Sequence, residues 1–140
     1  MNELSDESQM CVKLSCISPI DGRYASYTKP LQAYFSEYAY FKYRLHVEIS
    51  YLCVLLQKIP TYSSLKESDI QIINSIMTEF TITECMKIKE IEKSINHDVK
   101  SIEYYICSKL KEHGLGHYNS FVHFGLPSQD INNTALPLMI

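Results

Sequence analysis

Three short stretches of the sequence carry side chains that exchange protons or bind anions. In the tripeptide NHD at 96–98, a histidine that can exchange a proton near neutral pH stands at the start of an amphipathic pattern. In DGRY, the planar fork of Arg23 can hold a phosphate or carboxylate at two points, and Tyr24 can add a hydroxyl or stack. In GLPSQDINN, Ser128 begins a predicted helix, where a hydroxyl and free backbone N–H groups can face an anion.

Each stretch also has an ordinary structural interpretation. Asn96 can cap the following helix while Asp98 complements the positive end of its dipole, and spacing by itself favours this cap. DGRY can be a solvated turn, and Ser128 can be a plain N-cap. His97 falls on the face opposite Val99 and is therefore not expected in the core. All three stretches place donors at a turn or helix start, which favours a ligand with several negative charges.

Other chemistries have weaker signals. Near the C-terminal end, His113, His117 and His123 match no common zinc-ligand spacing, and no cysteine pair joins them. The five cysteines form no CxxC pair, which favours reduced thiols in a cytosolic protein over a disulfide framework. The sequence contains no glycine-rich phosphate loop and no GxSxG. We therefore expect no metal site and a cytoplasmic location.

The composition is that of an ordinary globular domain. Hydrophobic residues make up 46% and charged residues 21% of the 140 positions, and the net charge is −3. A net negative charge gives no reason to expect nucleic acid or an anionic membrane as partner. No apolar run is long enough to span a bilayer, and the acidic first ten residues resemble neither a signal nor a transit peptide.

Apolar residues recur every three or four positions over most of the sequence, which predicts an all-α domain. A single long helix is expected from Leu31 to Leu56, ended by Pro60. Ser64 and Glu67 form a capping box at the start of the next helix. Residues 1–13 are expected to be a disordered lead-in.

The second half of the sequence predicts further helices. Thr83 can cap a third helix, and a fourth is expected from near His97 to about Glu112, ended by Gly114. Ser128 can cap a last helix, whose apolar ending LPLMI carries no stop signal. This ending is typical of a cut inside a helix.

Three motifs in this order, SPIDGRY, INHDVKSIEYY and FVHFGLPSQDINN, resemble those of the bacterial-type adenylosuccinate lyase family. The similarity runs from about Ile17 to Asn133. It implies membership of the fumarase/aspartase superfamily, whose members are almost wholly helical and form homotetramers. In those terms, residues 14–125 are the N-terminal helical domain, and 126–140 are the truncated start of the central helical bundle.

The resemblance also implies a chemistry. Enzymes of this family release fumarate by β-elimination, from adenylosuccinate to give AMP and from SAICAR to give AICAR in purine biosynthesis. They need no cofactor and no metal. A general base removes the proton beside a carboxylate, and a general acid protonates the leaving nitrogen.

Site residues carry over position by position. By this resemblance, Arg23 and Tyr24 bind the nucleotide phosphate, and Asn96, His97 and Asp98 line the substrate site, with His97 in a supporting catalytic role. Ser128 is similar to the serine of a Thr-Ser pair that binds a succinyl carboxylate.

The chain departs from the family pattern in two respects. Pro127 replaces the threonine of the pair and removes a hydroxyl and an N–H, and Pro137 lies in a segment that the family keeps helical, where an interior proline costs roughly 3 kcal/mol. The family chain is about three times longer, and its THGQ histidine and SSxMPxK loop, the principal acid and base, have no match here. We therefore expect the 140-residue chain to be inactive by itself.

Two alternatives stay open on the sequence alone. The first is a truncated, non-catalytic protein that binds a nucleotide or a full-length lyase. The second is another superfamily member, such as argininosuccinate lyase or fumarase, against which the DGRY and NHD motifs argue.

Overall fold

The structure, a computed structural model, describes residues 6–59 and 65–140 and contains helices and no strand in those ranges. The helices are α1 (Asp6–Ser15), α2 (Ala25–Thr28), α3 (Gln32–Phe35), α4 (Glu37–Lys58), α5 (Glu67–Thr78), α6 (Ile82–Ile95), α7 (Asp98–Glu112) and α8 (Ser128–Met139), with 3₁₀ helices at Lys29–Leu31 and Gly116–Phe121. The predicted all-α class is confirmed. Two compact units divide the chain, Met1–Ser36 and Glu37–Ile140.

The second unit is built around α4, which contacts α5, α6, α7 and α8. Its apolar residues recur every three or four positions, so one face of the helix enters the core. Each fully buried Leu or Ile side chain contributes about 1.5–3 kcal/mol to folding. The fully buried leucines and isoleucines of the second unit are Leu45, Ile49, Leu52, Leu56, Ile73, Ile88, Ile102, Ile106, Leu110 and Ile131.

The long helix expected from Leu31 to Leu56 is interrupted. The backbone at Ser36 is extended, with φ −76° and ψ 162°, so α3 ends there and α4 begins at Glu37. The Ser36 hydroxyl donates to the carbonyl of Gln32 at 2.6 Å, which satisfies an acceptor of the last turn of α3. The apolar stripe alone did not reveal this break, because the period resumes in phase after Ser36.

Helix boundaries elsewhere follow the expected signals in part. The helix α4 ends at Lys58, two residues before Pro60, whereas Pro60 and Ser64 lie outside the described residues. The predicted capping box is therefore not observable, and Lys66 precedes α5 without a side-chain cap. Thr81 rather than Thr83 caps α6 by accepting from the Glu84 N–H, since the helix begins two residues earlier than expected.

The first unit begins with α1, which overlaps the segment expected to be disordered. Residues 1–5 lie outside the described part of the chain, and the helix runs from Asp6 to Ser15. An acidic start and Lys13 in the last turn complement the helix dipole and favour a helix there. The DGRY turn packs on its end, because a Cβ at Gly22 would lie 2.6 Å from the Lys13 carbonyl oxygen. Only glycine fits there.

The predicted domain boundaries at 13/14 and 125/126 stay predictions, and the compact units divide instead between Ser36 and Glu37. Among the described residues, no helix combines the length and the apolar character that crossing a membrane requires.

Candidate active site

The NHD tripeptide forms the junction between α6 and α7. Asn96 adopts a left-handed conformation, with φ 53°, and ends α6, while His97 is the N-cap of α7. The Nδ1 atom of His97 accepts a hydrogen bond from the Lys100 N–H at 3.1 Å. The expectation that Asn96 caps this helix is therefore wrong. The turn needs a left-handed residue at position 96, a conformation that asparagine tolerates better than most residues do, and His97 with its extended backbone takes the N-cap position instead.

This cap determines what the His97 imidazole can offer. With Nδ1 accepting from the backbone, the proton of the neutral ring sits on Nε2. The side chain is half exposed, as expected from its position opposite Val99, so Nε2 is available to donate to a ligand.

Arg44 joins three helices of the second unit. Its guanidinium in α4 lies 2.8 Å from the Asp98 carboxylate at the start of α7. Its Nε donates to the Asn132 side-chain oxygen in α8 at 2.9 Å, and the Tyr40 hydroxyl donates to the same oxygen at 3.0 Å. The guanidinium carbon also lies 3.6 Å from the centre of the Tyr40 ring. Because the Arg44 side chain is 4% exposed, it orients other residues and is closed to a ligand.

The charge of Asp98 is fixed by its neighbours. Burial alone would raise the pKa of this carboxyl, but the Val99 N–H at 2.8 Å and the Arg44 guanidinium lower it below its ordinary value. Asp98 is therefore an ionised carboxylate at neutral pH. It lies at the N-terminal end of α7, where the helix dipole favours a negative charge.

A second polar layer lies next to Arg44. Glu48, one turn further along α4, is fully buried, and its Oε1 lies 2.5 Å from the His123 Nδ1. The other ring nitrogen of His123 lies 3.8 Å from Glu103 in α7, which also accepts from the Lys100 ammonium at 2.8 Å. Burial raises the pKa of Glu48, while the His123 ring opposes that rise.

Ser128 is the first residue of α8 rather than its cap. Pro127 occupies the N-cap position with φ −79° and ψ 156°, and no side chain caps the helix. The predicted cap at Ser128 is therefore wrong by one residue. Because Asn132 lies one turn after Ser128 and bonds Arg44, the first turns of α8 and the start of α7 are held by one guanidinium.

Arg23 and Tyr24 belong to the first unit, whereas Asn96, His97, Asp98 and Ser128 belong to the second. Both are exposed, and the Arg23 guanidinium lies 5.5 Å from the centre of the Tyr24 ring. The Tyr24 N–H donates to the Pro19 carbonyl at 2.8 Å, which closes the predicted turn. Within the second unit, the structure places Asn96, His97 and Asp98 on one junction and Ser128 at the start of α8.

Sequence comparison adds to this geometry. The sequence profile of a family described as "Lyase" matches residues 22–140. The chain belongs to this lyase family. The matched range includes every predicted site residue, from Arg23 to Ser128.

Curated members of the lyase family are similar to the chain over most of its length. Adenylosuccinate lyases of Dictyostelium discoideum, Legionella pneumophila (strain Corby) and Escherichia coli (strain K12) are 48%, 44% and 36% identical to it. In each comparison 91% of this chain is covered, and it spans 28% of the relative's length.

The sequence also held site residues that its motifs did not identify. With a rotation of about 100° per residue along α4, Glu48 falls within the buried stripe of the helix, and Arg44 falls at the edge of that stripe. Charged residues on a buried face are costly unless they are paired. Their position on the apolar face of a predicted helix is therefore the sequence signal that could have identified Arg44 and Glu48. Asn132 and His123 had no such signal, because their partners lie on α4, about 75 or more positions away. In the described ranges, no three His, Cys, Asp or Glu side chains gather as metal ligands.

Proposed function

We propose that this chain supplies part of the substrate site of an adenylosuccinate lyase, which releases fumarate from adenylosuccinate and from SAICAR in purine biosynthesis. The observation that carries the proposal is the ordered junction at 96–98, fixed by Arg44, within a sequence 36–48% identical to named adenylosuccinate lyases.

The proposed roles follow from chemistry and position. The Nε2 of His97 donates a proton or hydrogen bond to the substrate, because Nδ1 is committed to the backbone of α7. Asn96 and Asp98 flank it and line the site. Ser128, at the N-terminal end of the twelve-residue helix α8, offers a hydroxyl and backbone N–H groups to a succinyl carboxylate. Arg23 and Tyr24 contribute the phosphate-binding fork and ring.

The substrate of such an enzyme carries one phosphate and two carboxylates, so its binding needs several donors. Arg44 does not serve as one, because it is buried and paired with Asp98. Its role is to hold the start of α7 against α8. Among the predicted site residues, the positive partner of the substrate is therefore Arg23.

None of the described side chains is proposed as the general acid or the general base of the elimination. His97 supports the reaction, and the principal proton-transfer residues belong to the part of the family's chain that has no match here. The complete enzyme is proposed to be a cytoplasmic homotetramer.

Fumarate release tests the proposal on the native protein. An antibody raised against this chain recovers the product from its source cells, and intact mass spectrometry gives its length. We expect a product of lyase length that converts adenylosuccinate to AMP and fumarate, whereas the 140-residue chain alone does not. A native product of 140 residues without activity would instead favour the alternative, a non-catalytic protein that binds a nucleotide or a full-length lyase.

The role of His97 is tested by a matched pair of substitutions. Asparagine is a good N-cap, so His97→Asn keeps the cap of α7 and removes only the imidazole. In the complete lyase, His97→Asn should retain stability and lose most of kcat, while His97→Ala loses both. Equal activity of His97→Asn and wild type would remove His97 from the mechanism.

A further inference from the structure

Glu48 is the most deeply buried carboxylate among the described residues. It is 1% exposed, and its Oε2 has no hydrogen-bond partner in the part of the chain that the structure describes. Its Oε1 lies 2.5 Å from the Nδ1 of His123. A buried carboxylate is costly to keep, so a single short contact to a histidine 75 positions away indicates a task other than packing.

His123 has carboxylates at both ring nitrogens. Glu48 of α4 faces Nδ1, and Glu103 of α7 lies 3.8 Å from Nε2. The ring side chain is 11% exposed, and Glu103 is bound on its other oxygen by Lys100. The Cys107 thiol is a further titratable group near Glu48 and Glu103. The imidazole is therefore oriented from two helices at once.

The backbone at His123 is the second unusual feature. Its φ is 58°, in the left-handed region that residues other than glycine seldom adopt. Two residues later Gly125 has φ 73°, and between them the Phe124 carbonyl accepts from the Tyr51 hydroxyl at 2.8 Å. This strained segment, residues 122–127, leads directly into Ser128 at the start of α8.

We propose that Glu48 and Glu103 are positioning residues, which clamp the His123 imidazole between α4 and α7 and thereby fix the strained segment 122–127 that presents Ser128. The inference rests on the proposed function only for the use of Ser128 as a carboxylate-binding residue. Neither glutamate touches the substrate in this arrangement. Glu48 sets the proton position on the ring, and Glu103 with Lys100 closes its other side.

The test uses nuclear magnetic resonance on the 140-residue chain labelled with ¹⁵N. Glu48→Gln keeps the size and one hydrogen bond but removes the charge, and Glu48→Ala removes both. His123→Asn keeps a residue that tolerates positive φ and removes the ring. Glu90→Gln is the control, because Glu90 forms an exposed pair with Lys93 on α6. The readouts are the ring ¹⁵N shifts of His123 and amide exchange in residues 122–128.

We expect Glu48→Gln to move the His123 ring signals and Glu90→Gln to leave them unchanged. Amide exchange at residues 122–128 should rise about tenfold in His123→Asn and Glu48→Ala, with partial rescue in Glu48→Gln, while exchange in the α5 core is unchanged. Unchanged ring signals in Glu48→Gln, or exchange that rises equally in α5 and in the segment, would overturn the positioning role and leave Glu48 a packing residue.

Fumarate added to each variant separates this inference from the proposed function. Wild type is expected to show shifts at the Ser128 amide, and His123→Asn to show weaker ones. If wild type does not respond to fumarate but the variants still loosen the segment, the positioning role stands and the carboxylate role of Ser128 fails. Should fumarate bind wild type and His123→Asn equally, the clamp does not serve Ser128 and the inference is wrong.

Discussion

The Nη2 atom of Arg44 lies 2.8 Å from the Oδ2 atom of Asp98, although the two residues are 54 positions apart in the chain. The arginine is buried and the aspartate is half exposed. Since the same guanidinium donates to Asn132, one side chain fixes the N-terminal end of α7 and the second turn of α8. The placement of the proposed site thus depends on a residue that does not touch the ligand.

Replacing Arg44 by methionine should destabilise the second unit. The change keeps an unbranched apolar stem but leaves Asp98 and the Asn132 oxygen without their charged donor. Because the Asp98 carboxylate can regain water, we expect a loss of about 2 kcal/mol in the free energy of unfolding rather than the larger cost of a fully buried orphan charge. Urea denaturation at pH 7 measures it.

Two further variants interpret that result. Arg44→Lys retains the charge but cannot bond Asp98 and Asn132 together, so it should lie between wild type and Arg44→Met. Lys42→Met, at an exposed position of the same helix, is the control and should change stability by under about 0.5 kcal/mol. A lysine variant as stable as wild type would show that the two-point fork of Arg44 is unimportant.

The helices were accessible from sequence because they follow local rules. The periods of α4 and α7 are long and regular, and Gly114 ends α7 with φ 74°, as a C-terminal glycine commonly does. The break at Ser36 was not accessible, because it depends on backbone angles of one residue and leaves the apolar period intact. The helix α1 was not accessible either, because an acidic, polar segment at the start of a sequence also fits a disordered lead-in.

Glu84 should make the free energy of unfolding depend on pH in the acidic range. It accepts from the Lys87 ammonium at 2.6 Å and from the Tyr105 hydroxyl at 2.7 Å, and Lys109 lies at 3.1 Å. The Lys87 bond is the main cause that lowers the pKa of Glu84 from 4.5 to about 2, while burial opposes it. Ionised Glu84 therefore stabilises the fold fully above pH 4.5, and this contribution is lost as pH falls towards 2.

The substitution Glu84→Gln tests this pH dependence. At pH 7 we expect it to lower the free energy of unfolding by about 1 kcal/mol, since charged hydrogen bonds become neutral ones. The difference from wild type should shrink steadily between pH 4.5 and pH 2. Glu90→Gln, which breaks an exposed pair, should show almost no difference at any pH. A gap between wild type and Glu84→Gln that is constant with pH would contradict the assignment.

Asn96 allows its backbone and side-chain roles to be separated. Because its φ is 53°, Asn96→Ala should cost about 1 kcal/mol, whereas Asn96→Gly should stay within about 0.5 kcal/mol of wild type. Thermal denaturation of the chain measures both. In the complete lyase, Asn96→Gly should raise KM, because the amide that lines the proposed site is gone although the turn is intact. An unchanged KM would limit Asn96 to its turn.

The site was accessible from sequence only where motifs occur. NHD, DGRY and PSQD stand out by residue type, but Arg44 and Glu48 look like ordinary helix residues until their position on the stripe is calculated. The sequence spacing of His123 bears only on metal binding, whereas its contacts are with carboxylates from α4 and α7 that sequence spacing does not bring together. Contacts between distant helices are set by tertiary packing, and local patterns do not encode them.

Pro127 gives the last prediction, since the family resemblance implies a threonine at this position. It occupies the N-cap of α8 in an extended conformation that threonine also adopts, and no side chain caps this helix. A threonine hydroxyl could accept from the first-turn N–H groups, which is worth about 1 kcal/mol. Replacing the proline raises the conformational entropy of the unfolded chain, which lowers the free energy of unfolding by about 0.4–1 kcal/mol. The two effects nearly cancel, so Pro127→Thr should be close to wild type in stability.

Comparison with Pro127→Ala isolates the cap. Both variants lose the proline, but only threonine regains a capping hydroxyl, so Pro127→Thr should be about 1 kcal/mol more stable than Pro127→Ala in urea denaturation. The same hydroxyl lies next to Ser128 and restores a donor for a carboxylate. Fumarate titrations followed at the Ser128 amide should therefore show tighter binding in Pro127→Thr than in wild type or Pro127→Ala. Equal binding in all three would mean that the carboxylate is held without residue 127, and that the substitution of threonine by proline leaves the site intact.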